Sequence, residues 1–387
     1  MVRIEVGFDG GCPHDLAGVQ DHGDGTFRIL PSWRAEPGLG EECLGRTTRL
    51  GFRVVNAGAV ATLATFLVDW QYNEAPPDAP KRFASLEDYM QHRDFCVVRE
   101  PGSNRWRYVP ALVEGSVTRL DLELAPGTTE VHWHPPYSYG QGEQFVADLR
   151  QKPWAEVERV GHSREGRNIW LARITDTSPV PKRRFLIRAR SHAYESGGSY
   201  MMEGAVRFLT GDSPWAAMFR RDYEFYVLPM ANPDGVYNGM GQLTAPRGSN
   251  LDYATDETGD PALAANLAAL DTSRPHLYLD LHNFQHKYWD GILGLTPEQQ
   301  ERFLYYMKPI APAGKSWFRR GPRAWPEDHI PESLAGFARR QYGSQWMALE
   351  LGWFGRSPEE ARAFGESAVW ALLMIDWDRP PASDRLA

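Results

Sequence analysis

Four residues spread over the second half of the sequence have side chains able to hold an ion or move a proton: His192, Glu195, His282 and Glu350. His192-Ala193-Tyr194-Glu195 follows the apolar run Phe185-Leu186-Ile187 and precedes a stretch, 201–209, whose apolar spacing reads as a helix. A His and a Glu three apart, where a strand ends and the chain turns, can point both side chains at one ion. Catalytic zinc commonly takes two His and one carboxylate and leaves a fourth position for water. The same H-x-x-E spacing also occurs in ordinary surface and core pairs, so it needs company to mean anything.

Leu277-Tyr278-Leu279-Asp280-Leu281-His282-Asn283 supplies that company, being a buried-strand pattern that ends in a His. Open α/β sheets place their sites at such carboxyl ends, although a satisfied strand-end histidine fits the pattern too. Glu350 lies within Trp346-Met347-Ala348-Leu349-Glu350-Leu351-Gly352. A carboxylate buried in an apolar strand is costly unless paired or functional, and desolvation raises its pKa toward the range useful for a general base. A buried ion pair, or an outward-facing Glu in an alternating strand, would explain it equally.

The elements that must position these residues divide the chain in two. Up to about residue 140, short alternating stretches such as Gly51-Phe52-Arg53-Val54-Val55-Asn56 and Val117-Thr118-Arg119-Leu120-Asp121-Leu122-Glu123-Leu124 are broken by Gly, Pro and Asp. That pattern predicts an antiparallel β-sandwich over 1–140, with Pro135-Pro136-Tyr137-Ser138-Tyr139-Gly140 as its exit. From about 150 strands alternate with longer amphipathic segments, the grammar of an α/β layer fold. Strands are expected at 169–174, 185–190, 224–229, 277–282 and 346–351. A final helix is announced by Ser357 as N-cap, Pro358 at the first position and Glu360 at the third.

At 387 residues two domains are the expectation. A net charge of -8 argues against a nucleic-acid surface. Arg319, Arg320 and Arg323, interleaved with Trp317 and Trp325, are a local exception that reads as a solvated loop or a grip for an acidic ligand. No uncharged run approaches the roughly 20 residues that span a bilayer, and the start has no signal-peptide pattern. No membrane partner and a cytoplasmic location are therefore expected. Cys12, Cys43 and Cys96 lack clip spacing and read as reduced, inert thiols.

Taken together, His192-x-x-Glu195, Leu228-Pro229-Met230-Ala231-Asn232-Pro233-Asp234-Gly235-Val236, Asp280-Leu281-His282 and Leu349-Glu350 resemble the zinc carboxypeptidase family, most of all its cytosolic-carboxypeptidase branch. The order is the family's, and the separations of 87 residues from Glu195 to His282 and 68 from His282 to Glu350 are similar to that branch. The resemblance implies a mixed-sheet α/β/α catalytic domain over 150–387 behind the sandwich. It further implies Zn2+ on His192, Glu195 and His282, with Glu350 activating a water and a peptide or small amide as substrate.

The sequence departs from the family where substrates are gripped. Family members follow Asn-Pro-Asp-Gly with Gly-Asn-Tyr-Arg and later Asp-Leu-Asn-Arg, whose arginines and asparagine hold the oxyanion and a free C-terminal carboxylate. Here the counterparts are Gly239-Met240-Gly241-Gln242 and Asn250-Leu251-Asp252-Tyr253. With Asp252 facing the pocket, a substrate carboxylate would be repelled, and a cation, amide or hydroxyl would be the better partner. Arg247 is a candidate replacement for the oxyanion cation, unless it is a surface residue of its Pro-Arg-Gly turn. Tyr253 offers either a phenolic donor or aromatic packing. No tyrosine among Tyr305, Tyr306 and Tyr342 has a motif that marks it as the family's mobile one. Two alternatives to peptide cleavage stand beside it: a zinc deacylase or esterase acting on a small substrate without a free carboxylate, and a silent binding protein on the same scaffold.

Overall fold

The structure is a computed structural model that describes residues 2–31, 49–70, 93–245, 248–255, 259–284, 290–307, 332–353, 355–375 and 377. Ten strands come first: β1 (Val2–Glu5), β2 (Val19–Asp21), β3 (Thr26–Ile29), β4 (Gly51–Asn56), β5 (Thr62–Asp69), β6 (Phe95–Arg99), β7 (Arg107–Pro110), β8 (Leu112–Glu114), β9 (Val117–Leu124) and β10 (Gly127–His132). They form two five-stranded sheets, ordered β1-β4-β10-β6-β7 and β2-β3-β5-β9-β8. Strand β9 shows why: Thr118, Leu120, Leu122 and Leu124 are buried while Arg119, Asp121 and Glu123 face water. That period of two gives a sheet one dry face. The dry faces meet around Phe27, Phe52, Phe66, Trp70 and Trp133, each worth roughly 1.5–3 kcal/mol or more by burial. One pairing departs from the antiparallel expectation, since β3 runs parallel to β5. Between them the chain passes through β4 in the other sheet, and a crossover of that length permits parallel pairing.

Helix α1 (Tyr139–Leu149) bridges to the second half. Ser138 caps it in a capping box with Gln141, and Asp9 of the first half also accepts from the Tyr139 and Gly140 amides, at 2.8 and 2.7 Å. There follow β11 (Ala155–His162), β12 (Asn168–Ile174), β13 (Arg183–Ala189), α2 (Ser196–Leu209), α3 (Pro214–Asp222), β14 (Tyr223–Leu228), α4 (Pro233–Tyr237), α5 (Pro261–Ser273), β15 (Leu277–Phe284), β16 (Gly291–Leu293), α6 (Pro297–Tyr306), α7 (Leu334–Tyr342), β17 (Gln345–Gly352) and α8 (Pro358–Leu373). The strands build one mixed sheet, β11-β12-β14-β13-β15-β17-β16, with β14, β13, β15 and β17 mutually parallel. Each expected strand is present with ends moved by one or two residues. The central ones are buried on both faces, as parallel strands are. Phe185, Ile187, Leu279, Leu281 and Leu349 pack under α2 and α8, while Leu186 and Tyr278 face α5 and α7.

Helices α2 and α8 touch along glycines. A Cβ on Gly204 would lie 1.8 Å from the Arg362 carbonyl oxygen, and one on Gly365 would lie 2.1 Å from that of Met201. Only glycine admits so close an approach of two backbones. Gly198 does the same toward the sheet, where a Cβ would be 2.7 Å from the Leu281 carbonyl oxygen. The start of α2 is thereby pressed against the end of β15, which is what brings Glu195 to His282.

Candidate metal centre

The turn after β13 is built by a residue in a strained conformation. Arg190 has φ of 62°, a left-handed geometry uncommon outside glycine. Its buried side chain donates to the carbonyls of Tyr137 (3.0 Å) and Ala193 (2.6 Å) and to Ser199 Oγ (3.1 Å). Those bonds hold the chain in the tight turn that carries His192. The helix then begins at Ser196 with Glu195 in the N-cap position, yet the Glu195 side chain makes no capping bond. Its two oxygens go instead to the two imidazoles: Oε1 is 3.1 Å from His192 Nδ1 and Oε2 is 2.8 Å from His282 Nδ1.

Strand register delivers the other two groups. His282 on β15 stands directly beside Glu350 on β17, and in-register neighbours of parallel strands project from the same face. Glu350 is half-buried, less enclosed than its apolar flanks suggest, because it sits near the carboxyl end of β17 where the sheet opens. His282 and Glu195 are buried. Asp252 Oδ2 lies 2.9 Å from His192 Nε2, the ring nitrogen on the far side from Glu195.

Electrostatics in this cluster are set by carboxylates facing imidazoles. Burial alone would push His192 down, but Asp252 and then Glu195 hold its pKa up, at about 10. His282 is likewise raised against burial, by Glu195 and Asp280. Burial would raise Glu195, and the two imidazoles bring it to about 2. Asp252 is held well below the usual carboxylate range by His192. A field that favours protons on two imidazoles also favours a divalent cation that displaces them. The donor set fits zinc: two imidazoles and a carboxylate converge through Nδ1, Nδ1 and Glu195. Their contacts fall a little short of the roughly 3.3 Å edge of a tetrahedron with about 2.0 Å bonds.

His192, Asp252 and His282 also lie close enough for their ligand atoms to fall within 4.8 Å of one another. Two carboxylates thus compete for the ligand role. Glu195 engages both Nδ1 atoms and is fully buried, whereas Asp252 engages only the far nitrogen of one ring and is a third exposed. A metal-ligating His typically donates its other N–H to a carboxylate that orients it. That division suits Asp252 as orienter and Glu195 as ligand. Asp252 Oδ2 is thus directed at His192.

The remaining candidates scatter around this centre. Asn250 Oδ1 accepts from the Asp252 amide at 3.0 Å, which shapes the loop holding Asp252. The Gln242 carbonyl accepts from Asn232 Nδ2 at 3.4 Å. Tyr253 is half exposed and pairs by backbone with Ser333. Arg247, Cys43 and the Arg319, Arg320, Arg323 cluster with Trp317 and Trp325 lie outside the described residues. Cys12 and Cys96 are buried, and the Cys12 thiol donates to the Pro31 carbonyl at 2.9 Å.

Reading the sequence for reactive groups missed the residues that hold the centre in place. Arg188 donates to Asp280 (2.8 Å), Tyr278 (2.9 Å), Asn266 (3.0 Å) and the Leu251 carbonyl (2.5 Å). Asp280 Oδ2 is 3.6 Å from His282 Nε2, and Leu251 precedes Asp252, so one guanidinium braces both imidazole supports. The available signal was Arg188 after the apolar run Phe185-Leu186-Ile187 of β13 and a lone acid, Asp280, in β15, which pair in register. Asn232 of the Asn-Pro-Asp-Gly segment similarly ties the Ser191 carbonyl to that of Leu243.

Residues 143–257 match the zinc carboxypeptidase family. The chain is 32% identical to human Cytosolic carboxypeptidase 2 over 130 residues, which is 31% of this chain and 14% of that protein. It is 28% identical to Cytosolic carboxypeptidase 6 of Caenorhabditis elegans over 177 residues, 42% of this chain and 38% of that one. The chain therefore spans well under half the length of these relatives. Metallo-carboxypeptidase from Burkholderia cenocepacia has the same fold, with a TM-score of 0.76 at 20% identity over 96% of this chain and 98% of its own. A metallo-carboxypeptidase from Pseudomonas aeruginosa, solved with (2-guanidinoethylmercapto)succinic acid, gives a TM-score of 0.75 at 20% identity over 96% and 98%.

Proposed function

We propose, for a chain whose residues 143–257 carry a zinc carboxypeptidase domain, that it is a zinc-dependent hydrolase of amide bonds, with 1–140 a sandwich and 150–387 the catalytic unit. The observation that supports this best is Glu195 lying between the Nδ1 atoms of His192 and His282, with His282 beside Glu350 in strand register. His192, Glu195 and His282 would hold the metal, which when bound would supply Lewis-acid chemistry, lowering the pKa of a water to about 7 and polarising a carbonyl. Asp252 accepts from His192 Nε2 and keeps the ring oriented with Nδ1 toward Glu195. Glu350 takes a proton from the attacking water at its carboxylate and passes it to the leaving nitrogen. A peptide substrate and a cytoplasmic location belong to the same proposal, supported by the family and by the relatives' names. Chelation should abolish amide hydrolysis and zinc should restore it, while a His192→Ala, His282→Ala double variant should bind no zinc. An active chelated enzyme, or a double variant with full zinc content, overturns the reading.

One observation favours a narrower version. Among the described residues of 239–253 there is no Lys or Arg, so those residues supply no cation to clasp a free carboxylate, and substrates with a blocked or uncharged end suit them better. Matched amides differing only in a free or blocked carboxylate test this. A strong preference for the free acid, lost in Arg247→Ala, would return the protein to ordinary carboxypeptidase action.

A further inference from the structure

Glu350 stands two residues before the end of β17, where a strand is most prone to fray, and what fixes that end lies outside the metal centre. On one side β15 runs alongside as far as Gly352, but on the other β16 begins only at Gly291, opposite Glu350. Asp290, the residue before β16, makes up the difference with its side chain, whose Oδ1 accepts from the Gly352 amide at 2.8 Å. Its Oδ2 accepts from Arg356 Nη2 at 2.7 Å. Asp290 is 1% exposed and Arg356 9%, so the pair is shielded from water, and the guanidinium lies over the Phe364 ring of α8, 5.1 Å from its centroid.

The sandwich holds the same segment from the other half of the chain. Tyr108 of β7 donates its hydroxyl to the Arg356 carbonyl at 2.7 Å. Trp353 Nε1 donates to Ser196 Oγ at 3.1 Å, and that hydroxyl donates to the Pro135 carbonyl at 2.9 Å, at the exit from the sandwich. Gly352, Trp353 and Arg356 are each tied to a different partner within five residues of chain. A buried ion pair is a poor source of stability, since packed apolar groups of the same volume often do as well. What Asp290 supplies is place, because a reacting carboxylate has to be held within about 0.5 Å of its productive position.

We propose that Asp290 is a positioning residue for Glu350, fixing the end of β17 through Gly352, and that Arg356 and Tyr108 extend this hold to the sandwich. The role rests on Glu350 being the base; the hold itself is measurable without substrate.

Hydrogen exchange on the zinc-loaded, full-length protein measures it. Asp290→Leu should speed exchange of the segment 350–353 by about tenfold or more while β13 and β15 keep their protection. Tyr108→Phe removes one hydroxyl and should speed the same segment by a smaller factor, which also serves should Asp290→Leu fail to fold. Unchanged protection at 350–353, or protection lost evenly through the sheet, overturns the hold. With the blocked amide of the matched pair as substrate, Asp290→Leu should lower kcat by roughly 10–100-fold at unchanged KM and zinc content. Asp290→Asn keeps an oxygen for Gly352 and should recover most of that loss. Added to Glu350→Gln, Asp290→Leu should cost nothing further, because it acts through Glu350 alone. Additive losses, or kcat and KM moving together, overturn the positioning role. Turnover undiminished by Glu350→Gln alone overturns the base instead, and the exchange result then decides the hold by itself.

Discussion

Two charged clusters lie close together at the ends of β13 and β15, with Asp280 two residues before His282 and Arg188 four before His192, and they are made from different cations. In one, Arg188 faces Asp280 in register, and burial is answered by a guanidinium with four hydrogen-bonding partners. In the other, Glu195 and Asp252 face two imidazoles. Guanidinium keeps its proton at any accessible pH, so the first cluster is neutral and closed. Imidazole can exchange its proton for a metal, so the second remains open to chemistry. Neighbouring layers of one sheet thus hold a brace and a candidate metal centre, distinguished by whether the positive partner can be given up.

The sharpest way to break this contrast is to remove the permanent cation. Arg188→Met should cost about 3–5 kcal/mol by chemical denaturation, since it strands Asp280 in the interior. Arg188→Met with Asp280→Leu should recover most of that, because no orphaned charge is left. A single variant as stable as the parent would show that the brace carries no such burden. At the reactive centre, Glu350→Gln should leave folding and zinc content intact and reduce turnover by roughly 100-fold or more. Unchanged turnover in the metallated variant would place the base elsewhere. Asp252→Asn should have the smallest effect, weakening zinc by roughly 10–100-fold in a competition titration against a chelator while the fold persists. Complete loss of zinc there would make Asp252 a ligand in place of Glu195, and no change would make it a bystander.

How much of this was legible in the sequence depended on whether a residue acts through its own type or through its position. Alternation in β9 and the capping box at Ser357 are local patterns, and both read correctly. His192, Glu195, His282 and Glu350 stood out because their chemistry is conspicuous, and the structure gathers them. Asp252 was visible as an acid, but its direction was not. A loop pinned by Asn250 and by Arg188 through the Leu251 carbonyl decides that its Oδ2 meets His192. Arg190 was invisible for a related reason, because a left-handed arginine is recognisable only once its backbone angle and its three acceptors are known. Pairing of β3 with β5 depends on which sheet the intervening strand joins, which no local pattern encodes.

The glycine contacts between α2 and α8 bear on which changes of length the chain can absorb. A helix advances about 100° per residue, so a single residue inserted between Glu195 and Gly204 would swing the glycine out of the crossing and bring a bulkier neighbour against the Arg362 carbonyl. The helix would then have to lift from its partner or drag its first turn away from His282. Spacing along those nine positions is therefore as binding as the identity of the ligands. Surface loops can lengthen cheaply, but this segment behaves as a gauge block whose length sets where a carboxylate stands.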